Sequence, residues 1–237
     1  MESNFQNTLW SRVNAAGKSD TFHSAQALEE LCRLYWQPIY SFLRRQGNDR
    51  ESARDLTQSF FVYVIRGKLL QKADPGRGRF RSFLLGILKN FTSHEAEKAR
   101  AVRRGGAVEI VSIDEETAEG MYRHEPASEL SPEKLFDRRW AMTLLEEATR
   151  RLRTDYERAG MPEVFDALQP YLVGDPDGSF AALGAVLSRT EGAARVLVFR
   201  FRERFRQLIR TVIGDTVTDV DQVEMELKHL QAALRAP

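Results

Sequence analysis

Apolar residues at Phe80, Phe83, Leu84, Ile87, Leu88 and Phe91 fall at the three- and four-residue spacing of one helix face. The same period appears at Leu28, Leu31, Leu34 and Tyr35, which predicts a helix from about Ser24 that meets Pro38 and continues through Ile39, Phe42 and Leu43. A proline inside a helix removes one backbone donor, so a kink or break is expected at Pro38. Asn48, with Glu51 three residues on, reads as a capping box for a second helix buried through Ala53, Leu56, Phe60 and Val64. Beyond Pro132 the apolar positions Leu135, Phe136, Trp140, Leu144, Leu145 and Leu152 predict a long helix, and a short one follows Pro162. No alternating apolar pattern is long enough for a sheet, so the fold class is all-α.

From Ser179 to Arg210 the pattern changes to a short apolar helix (Phe180, Leu183, Val186, Leu187), a turn at Ser188-Arg189-Thr190, and a long arginine-rich helix. This is the layout of a helix-turn-helix. Thr190 is placed to cap the second helix, with Ala193, Leu197, Phe201, Phe205 and Leu208 packing inward. A further amphipathic stripe runs through Val220, Val223, Leu227, Leu230 and Leu234, accompanied by Asp215, Asp219, Asp221, Glu224 and Glu226. This acidic extension is expected to dock on the basic helix-turn-helix domain and mask or tune it.

Charge sharpens this layout. The 237 residues carry a net charge of only +1, yet the span 66–104 holds eleven Lys/Arg against three acids. The span 189–210 holds seven arginines against two glutamates, as a helix approaching phosphates and base edges requires. Between them, 109–133 holds eight acids and one arginine with no helical stripe, and Gly105-Gly106 ends the preceding helix. The expected organisation is a first helical domain at 1–104, an acidic linker at 105–132, a helix-turn-helix domain at 133–213 and an acidic extension at 214–237.

Other chemistry is sparse. The single cysteine, Cys32, lies among leucines and reads as a small buried hydrophobe, and it cannot form an internal disulfide. The four histidines are too scattered for a metal site, and there is no phosphate-cradling glycine loop or nucleophile elbow, so neither an enzyme nor a cofactor is expected. No segment has the roughly 20 apolar residues that cross a bilayer, and Met1 to Trp10 lacks the apolar stretch of a secretory signal. A cytoplasmic protein is expected.

Several segments together resemble bacterial RNA polymerase sigma factors of the extracytoplasmic-function (ECF) type. They are Tyr35-Trp36-Gln37-Pro38-Ile39-Tyr40-Ser41-Phe42-Leu43, Ala53-Arg54-Asp55-Leu56-Thr57-Gln58-Ser59-Phe60-Phe61 and Phe80-Arg81-Ser82-Phe83-Leu84-Leu85. Leu187-Ser188-Arg189-Thr190-Glu191-Gly192-Ala193-Ala194-Arg195 is similar to the family's Leu-Gly-Met-Ser-Glu-Gly-Ala-Val-Arg, with Ser188 in place of the usual turn glycine and Ala194 in place of valine. The resemblance implies that Asp55, Gln58, Phe61 and Val62 dock on the clamp helices of the polymerase's largest subunit. It implies that Arg77, Arg79, Arg81, Lys89, Asn90 and His94 meet the opened -10 promoter element. Arg189, Thr190, Glu191 and Arg195 then face base edges of the -35 element, where arginine fits guanine and glutamate accepts from cytosine. Arg202, farther along, is expected to touch only phosphate or polymerase. Core polymerase and promoter DNA are the implied partners, with an anti-sigma regulator a further one. Two other readings remain open: a polymerase-independent helix-turn-helix regulator, and a module that only sequesters a protein partner.

Overall fold

A computed structural model of the chain describes residues 22–67, 69, 79–101, 130–174, 176, 180–217 and 220–235. Among these it contains eight α-helices and no strand: α1 (Phe22–Arg45), α2 (Arg50–Arg66), α3 (Phe80–Ala101), α4 (Pro132–Arg158), α5 (Pro162–Leu168), α6 (Phe180–Val186), α7 (Glu191–Thr216) and α8 (Val220–Arg235). A 3-10 turn, Gln169–Leu172, follows α5. The all-α expectation holds. Arg77 and most of the expected acidic linker, residues 105–129, lie outside the described residues.

The chain divides into two compact units, one comprising residues 1–143 and 214–237, the other 144–213. In the first unit α1 supplies the centre of the core, with Leu34, Tyr35, Ile39, Phe42 and Leu43 almost wholly excluded from solvent. Phe60 of α2 meets Phe91 of α3 edge to face at 5.5 Å, and Tyr35 meets Phe80 in the same manner at 5.4 Å. Such pairs add about 0.5–1.5 kcal/mol each beyond their buried area. Helix α1 runs unbroken through Pro38. The lost hydrogen bond is outweighed by burial, since every residue from Leu34 to Leu43 is buried. The cap of α2 also differs from expectation: Asp49, not Asn48, is the N-cap, and its Oδ1 accepts from the Ser52 amide at 2.7 Å. Asn48 instead donates Nδ2 to the Leu43 carbonyl at 2.8 Å and closes the end of α1.

The second unit is built on an aromatic triangle. Tyr156 of α4, Phe165 of α5 and Phe201 of α7 lie with ring centroids 5.6–6.1 Å apart and all three pairs edge to face. Helix α4 closes with a Schellman turn: the Met161 amide reaches the Tyr156 carbonyl at 2.9 Å, the Gly160 amide reaches Glu157 at 3.0 Å, and Gly160 takes φ +69°.

Helix α8 packs within the first unit, burying Val223, Leu230 and Ala233. There its Glu226 pairs with Arg79 and Arg81 of the first unit. Periodicity identifies the apolar stripe of a helix, whereas the choice among basic surfaces rests on individual ion pairs that only packing reveals.

Candidate nucleic-acid interface

On α2, Ala53, Thr57, Phe60, Phe61 and Val64 face the core. The opposite stripe carries Asp55 and Ser59, both exposed, with Gln58 and Val62 half-buried. The side chain of Asp55 is 67% exposed and lies 3.4 Å from Arg54 Nε. An exposed pair of this kind contributes about 0–1 kcal/mol and leaves both groups accessible to a partner. Within the Asp-Leu-Thr-Gln segment the residues divide by role, for the Thr57 hydroxyl donates to the Ala53 carbonyl at 2.7 Å and is wholly buried. Phe61 differs from its expected place at an interface. It is only 4% exposed and its ring stacks on Trp36 at 6.0 Å with a 3° interplanar angle.

The basic face of α3 is engaged from within the same unit. Arg79 Nε lies 2.9 Å from Glu226 Oε1 of α8, forming an ion pair. Arg81 is 6% exposed, bonded through Nη1 to Asp137 and reaching Glu226 Oε2 through Nε at 3.4 Å, with its guanidinium 5.0 Å above the Trp140 ring. Lys89 Nζ lies 2.8 Å from Glu133 Oε1. That ammonium, hydrogen-bonded to Glu133, holds its carboxyl below the usual glutamate range. Asn90 and His94 are exposed on the same helix. Arg81 is therefore a buried, doubly paired cation and not the exposed strand contact expected. Beneath it, burial pushes the Tyr35 hydroxyl far above its ordinary pKa, against the opposing pull of Arg81.

Sequence reasoning did not single out Glu133, Asp137 and Glu226 as partners of this face. A signal was present in Glu226, which lies three residues from Val223 and four from Leu230 and so shares the buried stripe of α8.

In the second unit α6 and α7 meet through a tight turn. The Arg189 amide donates to Gly184 O at 2.7 Å and the Ser188 amide to Ala185 O at 3.2 Å, the two bonds of a Schellman cap. Ser188 occupies the left-handed position, φ +53°, where the family places glycine. Thr190 Oγ1 accepts from the Ala193 amide at 3.3 Å and caps α7, as expected. Inward packing falls on Ala194, Val198, Phe201 and Leu208, while Ala193, Leu197 and Phe205 are half-buried flanks.

Arg189, Thr190, Glu191 and Arg195 all lie exposed on the turn and first turns of α7. Arg195 Nη2 donates to Glu191 Oε1 at 2.7 Å, and its guanidinium sits 5.1 Å over the Phe180 ring, which orients both groups outward at the helix start. Arg202 is placed differently: Nε donates to the Tyr171 carbonyl at 2.7 Å and Nη2 to Gly174 O at 3.1 Å. It ties the segment after α5 to α7, so its part in the fold is structural.

Residues 31–102, which take in α2, α3 and the part of α1 from Leu31 onward, match the family model of sigma-70 region 2. Over 191 residues the chain is 26% identical to the ECF RNA polymerase sigma factor SigE of Mycolicibacterium smegmatis, covering 79% of this chain and 63% of that relative. By these two matches the chain is similar to sigma-70 region 2 and to an ECF-type sigma factor. The chain spans less than two thirds of the length of this relative. No solved structure matches it. Among the described residues, no helix is long and apolar enough to cross a membrane.

Proposed function

We propose that this chain is an initiation factor that binds bacterial core RNA polymerase and directs promoter recognition and opening, acting in the cytoplasm without catalysing a reaction itself. The observation that carries this reading is the region 2 match over residues 31–102, coinciding with an exposed polar stripe on α2. Asp55, Gln58 and Val62 form the polymerase-docking surface, while Phe61 supports it from beneath through Trp36. Arg79, Lys89, Asn90 and His94, with Arg77, meet the separated -10 strand, where unstacking a base costs a few kcal/mol that phosphate contacts and stacking offset. Arg189, Thr190, Glu191 and Arg195 read the -35 element from the start of α7. A polymerase-independent regulator would need only the helix-turn-helix, so the region 2 module favours the first reading.

The test is transcription in vitro from a genomic promoter library with core polymerase, with and without this protein, beside an Asp55→Ala, Gln58→Ala variant. New start sites that vanish in the variant are expected. DNA binding without new starts would favour the regulator.

A further inference from the structure

Each described arginine and lysine at the start of or within α3 that is expected at the promoter strand already has an anion. Arg79 and Glu226 are 2.9 Å apart, Arg81 lies between Asp137 and Glu226, and Lys89 and Glu133 are 2.8 Å apart. The three acids come from two elements distant in sequence, the start of α4 and the middle of α8. Glu133 and Asp137 are four residues apart on α4 and so share one helix face. Glu226, 1% exposed, is set among Val223, Leu230 and Ala233. His229 of α8 adds a further tie, its Nε2 lying 3.1 Å from Asp137 Oδ2 and its ring 5.9 Å from Trp140.

A buried carboxylate is costly unless it is paired, and removal of its cations leaves an uncompensated charge. Glu226 therefore holds α8 in place only while Arg79 and Arg81 face it. Arg81 has a second partner in Asp137, whereas among the described residues Arg79 forms its ion pair with Glu226 alone. Arg79 stands immediately before the first residue of α3 and remains 31% exposed, so it is the cation whose allegiance can change.

We propose that α8 is an intramolecular phosphate mimic: Glu226, aided by Glu133 and Asp137, occupies the α3 cations that would grip the opened promoter strand, and single-stranded DNA competes with α8 for Arg79. This rests on the reading of α3 as the strand-binding surface. The carboxylate and the phosphate offer the guanidinium the same fork of anionic oxygens, so one displaces the other without new chemistry. The device restrains strand capture until DNA is held near α3 at high local concentration.

The experiment measures binding of the full chain to a short mixed-sequence single-stranded oligonucleotide across a salt series, for the unsubstituted protein, Glu226→Gln, Arg79→Ala and the double variant. Glu226→Gln should bind about three- to tenfold tighter, with a salt slope steeper by about 0.7, as expected for one additional phosphate contact on a single strand. Arg79→Ala alone should change affinity less than about twofold, yet in the Glu226→Gln background it should remove the gain. Equal binding by Glu226→Gln and the parent, or a gain that survives Arg79→Ala, would overturn the proposal. Because Glu226→Gln could loosen the unit, hydrogen exchange of residues 220–235 in the unsubstituted protein supplies a second measurement. Saturating oligonucleotide should accelerate that exchange, and unchanged exchange would overturn the proposal. Polymerase-dependent start sites together with equal oligonucleotide binding would remove the mimic and leave the initiation function standing. Absence of oligonucleotide binding in all four proteins would overturn both the mimic and the strand-binding role of α3.

Discussion

The amide of Arg189 donates to the carbonyl of Gly184 at 2.7 Å, and a Cβ on Gly184 would lie 2.7 Å from the Arg189 carbonyl oxygen. The helix-turn-helix closes only because residue 184 lacks a side chain. Gly184→Ala should therefore displace the turn, destabilising the unit by about 1–3 kcal/mol and weakening duplex binding through the moved start of α7. Thermal unfolding together with binding to -35 duplex measures both effects. Native stability in the alanine variant would show that the turn yields more easily than its geometry indicates.

Ser188 tests the same cap from the other side. Its left-handed backbone, φ +53°, is strained for any residue with a Cβ. Ser188→Gly should raise stability by about 0.5–1 kcal/mol, the relief of strain being partly offset by the greater freedom of glycine in the unfolded chain. A denaturant melt reads the difference, and a destabilised glycine variant would mean that the serine side chain contributes more than its strain removes.

Phe61 and Asp55 lie in the same motif and should separate cleanly. Phe61→Ala removes a ring stacked on Trp36 and should cost about 3–5 kcal/mol of stability. Asp55→Ala, at an exposed site, should change stability by less than about 0.5 kcal/mol and reduce polymerase-dependent transcription. Chemical denaturation and start-site assays on the two variants distinguish a core residue from an interface residue.

Arg202 was expected at DNA and is held by two backbone carbonyls. Arg202→Ala should lower the stability of the second unit by about 1–3 kcal/mol, since two charge-assisted bonds are lost. Base preference at the -35 element should stay as it was, whereas Arg195→Ala should alter it. Loss of stability without any shift in sequence preference, measured on a duplex library, is the expected result.

Cys32 has its thiol pushed up to about 12 by burial, with the Glu29 charge acting in the same direction. A raised thiol pKa leaves almost no thiolate at neutral pH, so alkylation of the native protein by iodoacetamide should be slow between about pH 7 and 9 and fast after denaturation. Rapid native alkylation would show that α1 opens locally around residue 32.

For Glu133 the linkage has a definite sign. Its carboxyl titrates below the ordinary glutamate value because of Lys89, so the pair's stabilising contribution is present above that value and is lost as pH falls through the lower, folded one. The Lys89 pairing should therefore weaken only under acid conditions, below the ordinary glutamate range.

Much of this fold was legible in the order of residues. Three- and four-residue apolar spacing placed α1, α2, α3, α4, α7 and α8, because one face of each helix must leave water and its period survives in the sequence. Thr190 was legible as a cap because a hydroxyl just before a helix meets a free amide, a strictly local relation. Asp55, Arg189 and Arg195 were legible as exposed positions for the same reason.

Other features were settled only in three dimensions. Pro38 signalled a break, but burial of α1 against several helices outweighs one missing bond. Arg81 and Arg202 were indistinguishable from their neighbours as positive charges along the chain, and became a core cation and a loop anchor through partners 145 and 31 residues distant. Periodicity and local charge determined the helices, their buried faces and the presence of two basic segments. Tertiary structure decided which partner each cation takes, because pairing depends on where distant carboxylates and carbonyls come to rest.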